Sequence, residues 1–220
     1  MGRRSDTRNM ILEYAKKSFY ELGYSKTTLK QIASKVNISV GSFSYHFAKK
    51  EHIASALMDN YITRLYNRIQ ELSDIDLTTY SIHAIASIYY YTNILNDPPT
   101  KRFYLELLQE NAPHINIIDK NPFRAHMDSL STSFMSDYNV DHHQLLKEAA
   151  HIYDLSGRTA LMTLLFTDQL KDYNTVRVIN TATEITGMLK GLSPFAIRES
   201  LLQAVKFNEK NDLSDIQLLK

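Results

Sequence analysis

Apolar residues recur every three to four positions along nearly the whole chain, and no stretch alternates as a half-buried strand would. Ile11, Ala15, Phe19 and Leu22 set one such stripe, which predicts a helix from about Thr7 to Leu22 with Gly23 as its stop. Leu29, Ile32, Ala33 and Val36 set the next. Thr28 followed by Gln31 is a capping box for it, and Asn37, tolerant of a left-handed backbone, suits its end. Ser39 then reads as the N-cap of a short helix to about His46, with Val40, Phe43 and Phe47 able to face a core. A long helix follows from Lys50 through Ile53, Leu57, Tyr61, Leu65 and Ile69 to about Leu72. Beyond it the signals predict helices over about 79–95, from Asp97-Pro98-Pro99 onward, and from Asn121-Pro122 after a loop at 112–121. Further helices are expected from the Asp141/Gln144 cap to about Leu170, over about 175–192, and from Ser193-Pro194 to about Asn208. The expected fold is all-α with about nine to ten helices. A three-helix N-terminal domain (1–53) would carry a helix-turn-helix, and a larger helical domain (54–220) would follow.

The segment from Ser25 to Ile53 carries the chemistry. Two short helices, a tight turn and an aromatic and basic flank are the layout of a helix-turn-helix that docks on duplex DNA. The pattern leaves Ser39, Gly41, Ser42, Ser44, Tyr45 and His46 facing outward. A helix entering a major groove needs small or hydrogen-bonding residues there, because bulk keeps its backbone from the base edges. Gly41 in particular is a poor helix residue, about 1 kcal/mol worse than Ala. Two short helices and a turn also occur in unrelated helical proteins, and Tyr45 could instead be half-buried core.

Thr7-Arg8, Ile11, Ala15, Phe19, Gly23, Tyr24, Thr27-Thr28, Ile32-Ala33, Ser39, Gly41, Tyr45, Phe47, Lys50-Glu51 and Ile53 stand in an ordered, specific pattern. In this the chain resembles the N-terminal domain of the TetR (tetracycline-repressor) family of bacterial transcription regulators. The resemblance covers about the first quarter of the chain. It implies that Tyr45, His46 and Lys50 hold phosphates, that Thr28 offers a hydroxyl and helix amides, and that Ser39, Val40, Gly41 and Ser42 lie nearest the bases. Ser44, also on the expected DNA face, departs from the family's usual Leu-Tyr pattern. Lys49 stands at a helix-cap position where Ser or Asp is expected; it cannot accept an amide bond, but it could reach a phosphate.

Charge sharpens this picture. The chain is nearly neutral at +1, yet residues 1–52 hold ten Lys and Arg against four acids, a net of 10 − 4 = +6. The remainder holds 25 − 10 = 15 basic and 24 − 4 = 20 acidic residues, a net of −5. A basic head on an acidic body suits a protein that meets phosphates at one end. Arg3 and Arg4 fall in an expected disordered start. The 220 residues, 44% of them hydrophobic, can bury a sizeable core, and the absence of cysteine excludes disulfide and thiolate chemistry. No run approaches 18 apolar residues and the N-terminus lacks an apolar leader, so a soluble cytoplasmic protein without membrane contact is expected.

The body offers less. Ala149, Ile152, Tyr153, Ser156, Ala160, Leu161, Leu164 and Leu165 form one broad stripe, and Ile179, Ala182, Ile185, Thr186, Leu189 and Leu192 another. Gly157 and Gly187 permit close helix approach. These stripes can face their own core or a second copy. The resemblance implies that the two helices pair with their copies in a homodimer, and a two-fold dimer reads two half-sites. The resemblance also implies a small-molecule cavity among the body helices. Candidate lining residues are Tyr66, Ile85, Tyr89, Thr92, Phe103, Tyr104, Leu107, Leu108, Phe123, Met127, Phe134 and Phe166, each of which could equally be ordinary core. Fourteen tyrosines suit an aromatic or amphipathic effector. Glu106 and Glu110, one turn apart, could meet a cationic ligand or simply face solvent. Asp141, His142, His143 and His151 lack the spacing of a metal site, and no cofactor is expected. Neither a phosphate-binding glycine loop nor a nucleophile elbow is present, and His151, Asp154 and Ser156 do not converge on one helix face, so no enzyme is expected. The reading is a ligand-responsive DNA-binding transcriptional regulator: a repressor that holds a palindromic operator in double-stranded DNA as a dimer and is released by a small molecule. A helical interaction module without its own DNA binding is the alternative.

Overall fold

The computed structural model describes residues 2–111, 149, 150 and 152–220, and among these the chain is all-helical. The expected helix from Asn121 and the Asp141/Gln144 cap lie outside the described residues. So do Phe123, Met127 and Phe134 of the candidate pocket, and Asp141, His142, His143 and His151. The helices are α1 (Gly2–Leu22), α2 (Leu29–Lys35), α3 (Val40–His46), α4 (Lys50–Leu72), α5 (Thr79–Asn96) and α6 (Pro98–Asn111). A π-helical turn (Tyr153–Gly157) then leads into α7 (Arg158–Phe166), followed by α8 (Thr175–Leu189) and α9 (Pro194–Lys210).

Local rules set most of these boundaries. The Thr28 side chain accepts from the Gln31 amide while the Gln31 side chain accepts from the Thr28 amide, which completes the capping box of α2. Asn37 ends the helix region at φ 57°. Ser39 and Ser193 cap α3 and α9 by accepting from Ser42 N and Ala196 N. α8 stops three residues before the expected Leu192. Gly191, at φ +75°, turns the chain so that Leu192 N donates to Gly187 O, and Leu192 packs beside Tyr80 and Ile197. α7 ends at Phe166 rather than near Leu170, because Asp168 adopts φ 60° and Gln169 N donates back to Leu164 O. α1 reaches back to Gly2, so Arg3 and Arg4, expected in a disordered start, have helical backbone.

The described residues form two compact units, and the division falls inside α4 between Tyr61 and Ile62. The expected boundary at 53/54 lies one turn into the same helix. The first unit joins the chain up to Tyr61 to α6 and to Gln217–Lys220. Its core holds Ile11, Ala15, Phe19, Tyr24, Ile32, Phe43, Ile53 and Phe103, all fully buried. Phe103 lies 5.1 Å from Phe19 and 5.9 Å from Tyr24, ring centre to ring centre. Leu22, expected inward, is 44% exposed; it is the last residue of α1, and Leu12 takes an inward place instead. The second unit runs from Ile62 to Asn93 and through the described residues from Ala149 to Ile216. Tyr80 is fully buried there, its hydroxyl donating to Thr183 O at 2.8 Å, and Asn93 donates to Leu213 O and Ile216 O.

Candidate nucleic-acid interface

α3 has only seven residues and is held from outside. An isolated helix of that length is unstable in water. Phe43 is fully buried and Phe47, its C-cap, is 4% exposed, so the two anchor one side of the helix in the first unit. Val40, expected to share that inward line, is 51% exposed: only positions four apart, 43 and 47, reach the core, and Val40 at the first helical position points away. Ser39, Gly41, Ser42, Ser44 and Tyr45 are exposed with it, and Tyr45 reaches 65%. The resulting face is small and hydroxyl-bearing, with one tyrosine edge-on against half-buried His46 at 5.5 Å. Thr28, at the start of α2, is exposed as well.

Gly41 is informative by what surrounds it. A methyl group built there would meet only Ser39 Oγ, at an ordinary 3.9 Å, and its backbone is not left-handed. Nothing inside the protein requires a glycine at this position.

The two lysines beside this face differ. Lys49 is exposed and pairs with Glu51 at 3.4 Å. Lys50 is committed inside its unit. Its ammonium donates to Tyr24 O at 2.8 Å, sits 4.0 Å from the centre of the Tyr24 ring, and lies 3.3 Å from a Glu110 oxygen, with the side chain 19% exposed. Arg8 covers the Phe47 ring at 5.0 Å.

α6 ties onto the same region through one face. Arg102 donates to the carbonyls of Tyr20 and Glu21 at the end of α1, and Glu106 accepts from Ser25 N at 2.9 Å. Glu110 pairs with Lys50. Glu106 and Glu110, read from sequence as contacts for a cationic ligand or as a solvated face, thus serve the loop between α1 and α2 and the start of α4. No rule of spacing within α6 names those partners.

The candidate pocket residues divide between the units. Phe103, Tyr104 and Leu107 are buried and Leu108 half-buried in the first. Tyr66, Ile85, Tyr89, Thr92 and Phe166 belong to the second. Tyr66 meets His83 Nδ1 at 3.2 Å through its hydroxyl, and burial pushes that hydroxyl far above the usual tyrosine range. Tyr89 donates to Asn211 O at 2.7 Å, and burial raises its hydroxyl to about 12. Thr92 returns its hydroxyl to Ile88 O.

The candidate dimer residues are also sorted. Ile179, Ala182, Thr186 and Gly187 are buried within their own chain. Ala149, Tyr153, Gly157, Ile185 and Leu189 are half-buried, while Ser156, Ala160 and Leu164 are exposed. The π turn explains why a simple three-to-four spacing misreads this stripe: one wider turn rotates the following residues, so Met162, Leu165 and Phe166 go inward. Sequence reading also passed over Asp154 with Arg158, an acid–base pair at helical spacing in an otherwise apolar stripe, and Lys190; all three side chains are buried together.

A short recognition-type helix packed by two phenylalanines and capped by a serine defines a helix-turn-helix domain. Residues 11–57 match the family model described as bacterial regulatory proteins, tetR family. The HTH-type transcriptional regulator TtgR of Pseudomonas putida is 36% identical over 55 residues, 25% of this chain and 26% of that protein. The repressor KstR2 of Mycobacterium tuberculosis is 33% identical over 73 residues, 33% of this chain and 36% of its own. The matches therefore span about a quarter to a third of these relatives' length. Over most of the chain the fold resembles that of a TetR regulator from Streptomyces fradiae, with a TM-score of 0.50 and 17% identity across 94% of this chain and 98% of that one. A tetR-family regulator from Streptomyces coelicolor gives a TM-score of 0.50 at 14% identity, across 96% and 92%. The N-terminal segment of the chain is thus similar to bacterial regulatory proteins of the tetR family.

Proposed function

We propose that the protein is a ligand-responsive transcriptional repressor that binds a palindromic operator in double-stranded DNA as a homodimer and leaves it when a small molecule fills the body. The observation that carries the reading is Gly41. Its place in α3 weakens the helix by about 1 kcal/mol, and no neighbour within the protein demands the missing side chain. The demand therefore comes from outside, from a surface that must approach the helix backbone closely, as base edges in a major groove do.

Around Gly41, Ser39, Val40, Ser42 and Ser44 lie nearest the bases. Thr28, Tyr45, His46 and Lys49 serve the backbone phosphates, where contacts fix register without reading sequence. Lys50 contributes charge but also holds the head together, because its ammonium serves Tyr24 and Glu110. Dimerisation uses the exposed run of Ser156, Ala160 and Leu164, four residues apart, continued by α8. One seven-residue helix buries too little on DNA to bind tightly alone, which is why two heads are needed.

The test is selection of bound duplexes from a random pool at physiological salt, with light scattering on the same sample. A two-fold symmetric motif and a mass near twice 25.4 kDa are expected. A clean monomer with no enriched sequence would refute the reading. In parallel, Gly41→Ala should leave the fold intact or slightly firmer, while Gly41→Leu, equally well folded, should lose operator binding.

A further inference from the structure

We propose that Val40 selects the base that α3 reads, and that this base is thymine, recognised by its C5-methyl group. This rests on the DNA-binding reading above and names what the exposed face of α3 takes from the operator.

The chemistry of that face is narrow. The residues set nearest the bases, Ser39, Val40, Gly41, Ser42 and Ser44, are all exposed. None is Arg or Lys, which bind guanine N7 and O6 together. None is Asn or Gln, which pair with adenine, and none is Asp or Glu, which accept from cytosine N4. What remains is three hydroxyls and one branched hydrocarbon. Two of the hydroxyls already serve the helix backbone: Ser39 Oγ accepts from Ser42 N at 3.1 Å, and Ser44 Oγ donates to Val40 O at 3.0 Å. A single hydroxyl can donate or accept, so it fits several base edges and distinguishes few. Val40 carries the one group on this face with an unambiguous counterpart. In the major groove only thymine presents a methyl group, so an apolar contact separates A·T from G·C pairs.

The geometry puts the valine methyl groups forward. Phe43 is fully buried and Phe47 only 4% exposed, which fixes the roll of α3 and leaves Val40 51% exposed. A lone exposed valine needs no explanation in itself. Val40 differs because its neighbour is Gly41, where an added methyl group would meet only Ser39 Oγ, at 3.9 Å. The open space over Gly41 lets base edges approach the helix backbone, and the branched side chain beside it then lies against them. Branching at Cβ restricts the valine to few rotamers, so little side-chain freedom is lost on contact. The Ser39 cap and the bond from Ser44 hold the turn that carries it. Withdrawing one methyl group from water against Val40 should strengthen binding about fourfold per half-site, and roughly fifteenfold across a two-fold operator.

The test uses the full chain and the duplex enriched from the random pool. Each symmetry-related pair of thymines is replaced in turn by deoxyuridine, which removes the methyl group and keeps the base pairing. Filter-binding titrations read affinity. At one thymine position, or two adjacent ones, the replacement should weaken the parent by roughly fifteenfold, and the other thymines should matter little. Val40→Ala should bind the thymine and uracil duplexes equally at that position, near the parent's affinity for uracil. Alanine is the better helix former, so this variant keeps α3, as circular dichroism would verify. Val40→Thr, which exchanges one methyl group for a hydroxyl, should keep part of the discrimination. Three results would each overturn the proposal: an enriched half-site without thymine, no loss with uracil at any position, or an equal uracil loss in Val40→Ala. The last would place the methyl effect in another residue or in the stiffness of the DNA. Enrichment of no duplex at all overturns the DNA-binding reading and this proposal with it, so the two failures are told apart at the first step.

Discussion

Gly23→Ala puts a value on the turn that joins α1 to the α2–α3 pair. Gly23 sits at φ +89°, where an L-residue pays about 1–2 kcal/mol in backbone strain. A methyl group there would also land 2.6 Å from Glu106 Oε2 and 2.9 Å from Oε1. The Glu106 carboxylate can swing away cheaply, but it then surrenders its bond from Ser25 N, worth about 1 kcal/mol at an exposed site. Alanine restricts the unfolded chain, which returns about 0.4–1 kcal/mol. The net loss is about 1.5–2 kcal/mol. With a urea m-value near ~2 kcal/mol/M, that is a midpoint lowered by roughly 0.8–1 M at unchanged slope. Far-ultraviolet circular dichroism during urea unfolding measures it directly. Gly23→Asn should fall by about half as much, since Asn tolerates the left-handed region. A Gly23→Ala midpoint within 0.2 M of the parent (roughly 0.4 kcal/mol by the same m-value) would refute both the strain and the Glu106 argument.

Four further outcomes are expected. Lys49→Ala should weaken binding to all DNA sequences and reduce the salt slope by about 0.9, the loss of one neutralised phosphate. Tyr45→Ala should weaken binding without changing that slope, because a phenol carries no charge, and parental affinity in either variant in filter-binding titrations would remove that residue from the interface. Gly187→Ala should lower the unfolding temperature despite the better helix residue, because its methyl group would meet the Tyr80 hydroxyl at 2.5 Å and Ile197 Cγ1 at 3.0 Å; the cost is about 1–3 kcal/mol. Adding Tyr80→Phe should recover part of the loss, and additive effects in the double variant would contradict the contact. Acid stability reports on Asp97: burial alone would raise this carboxyl, but hydrogen bonds from Lys220 and Thr100 hold it below the usual range. Its folded value lies below its unfolded one, so its stabilisation is present above about pH 4 and lost as pH falls through the folded value. Asp97→Asn should flatten the acid limb of stability against pH, and an unchanged limb would show that the pairing contributes nothing.

By itself the sequence determined the parts of this protein that depend on residues within one helical turn of each other. Thr28 with Gln31, Ser39, Asn37 and Ser193-Pro194 act on backbone groups three or four positions away, and each does so where it was expected. The buried line Ile53, Leu57, Tyr61, Leu65 and Ile69 was legible in the same way, because a single helix carries the whole period. The small face of α3 followed from knowing that Phe43 and Phe47 must point inward. What the tertiary structure decided concerns partners distant in the chain. Lys50 looked like a free phosphate ligand, yet Glu110 and Tyr24 occupy its ammonium, from 60 and 26 residues away. Phe103 could be a pocket wall or ordinary core by sequence, and it lies against Phe19 and Tyr24. The π turn at 153–157 rotated the stripe that follows it, which no count of three and four could foresee. Asp154 and Arg158 pair at helical spacing, but Lys190 joins them only because α8 returns beside α7, and nothing within one turn of Lys190 announces that contact. Caps and periods are short-range physics, while burial and charge pairing depend on which surfaces the packed helices bring together.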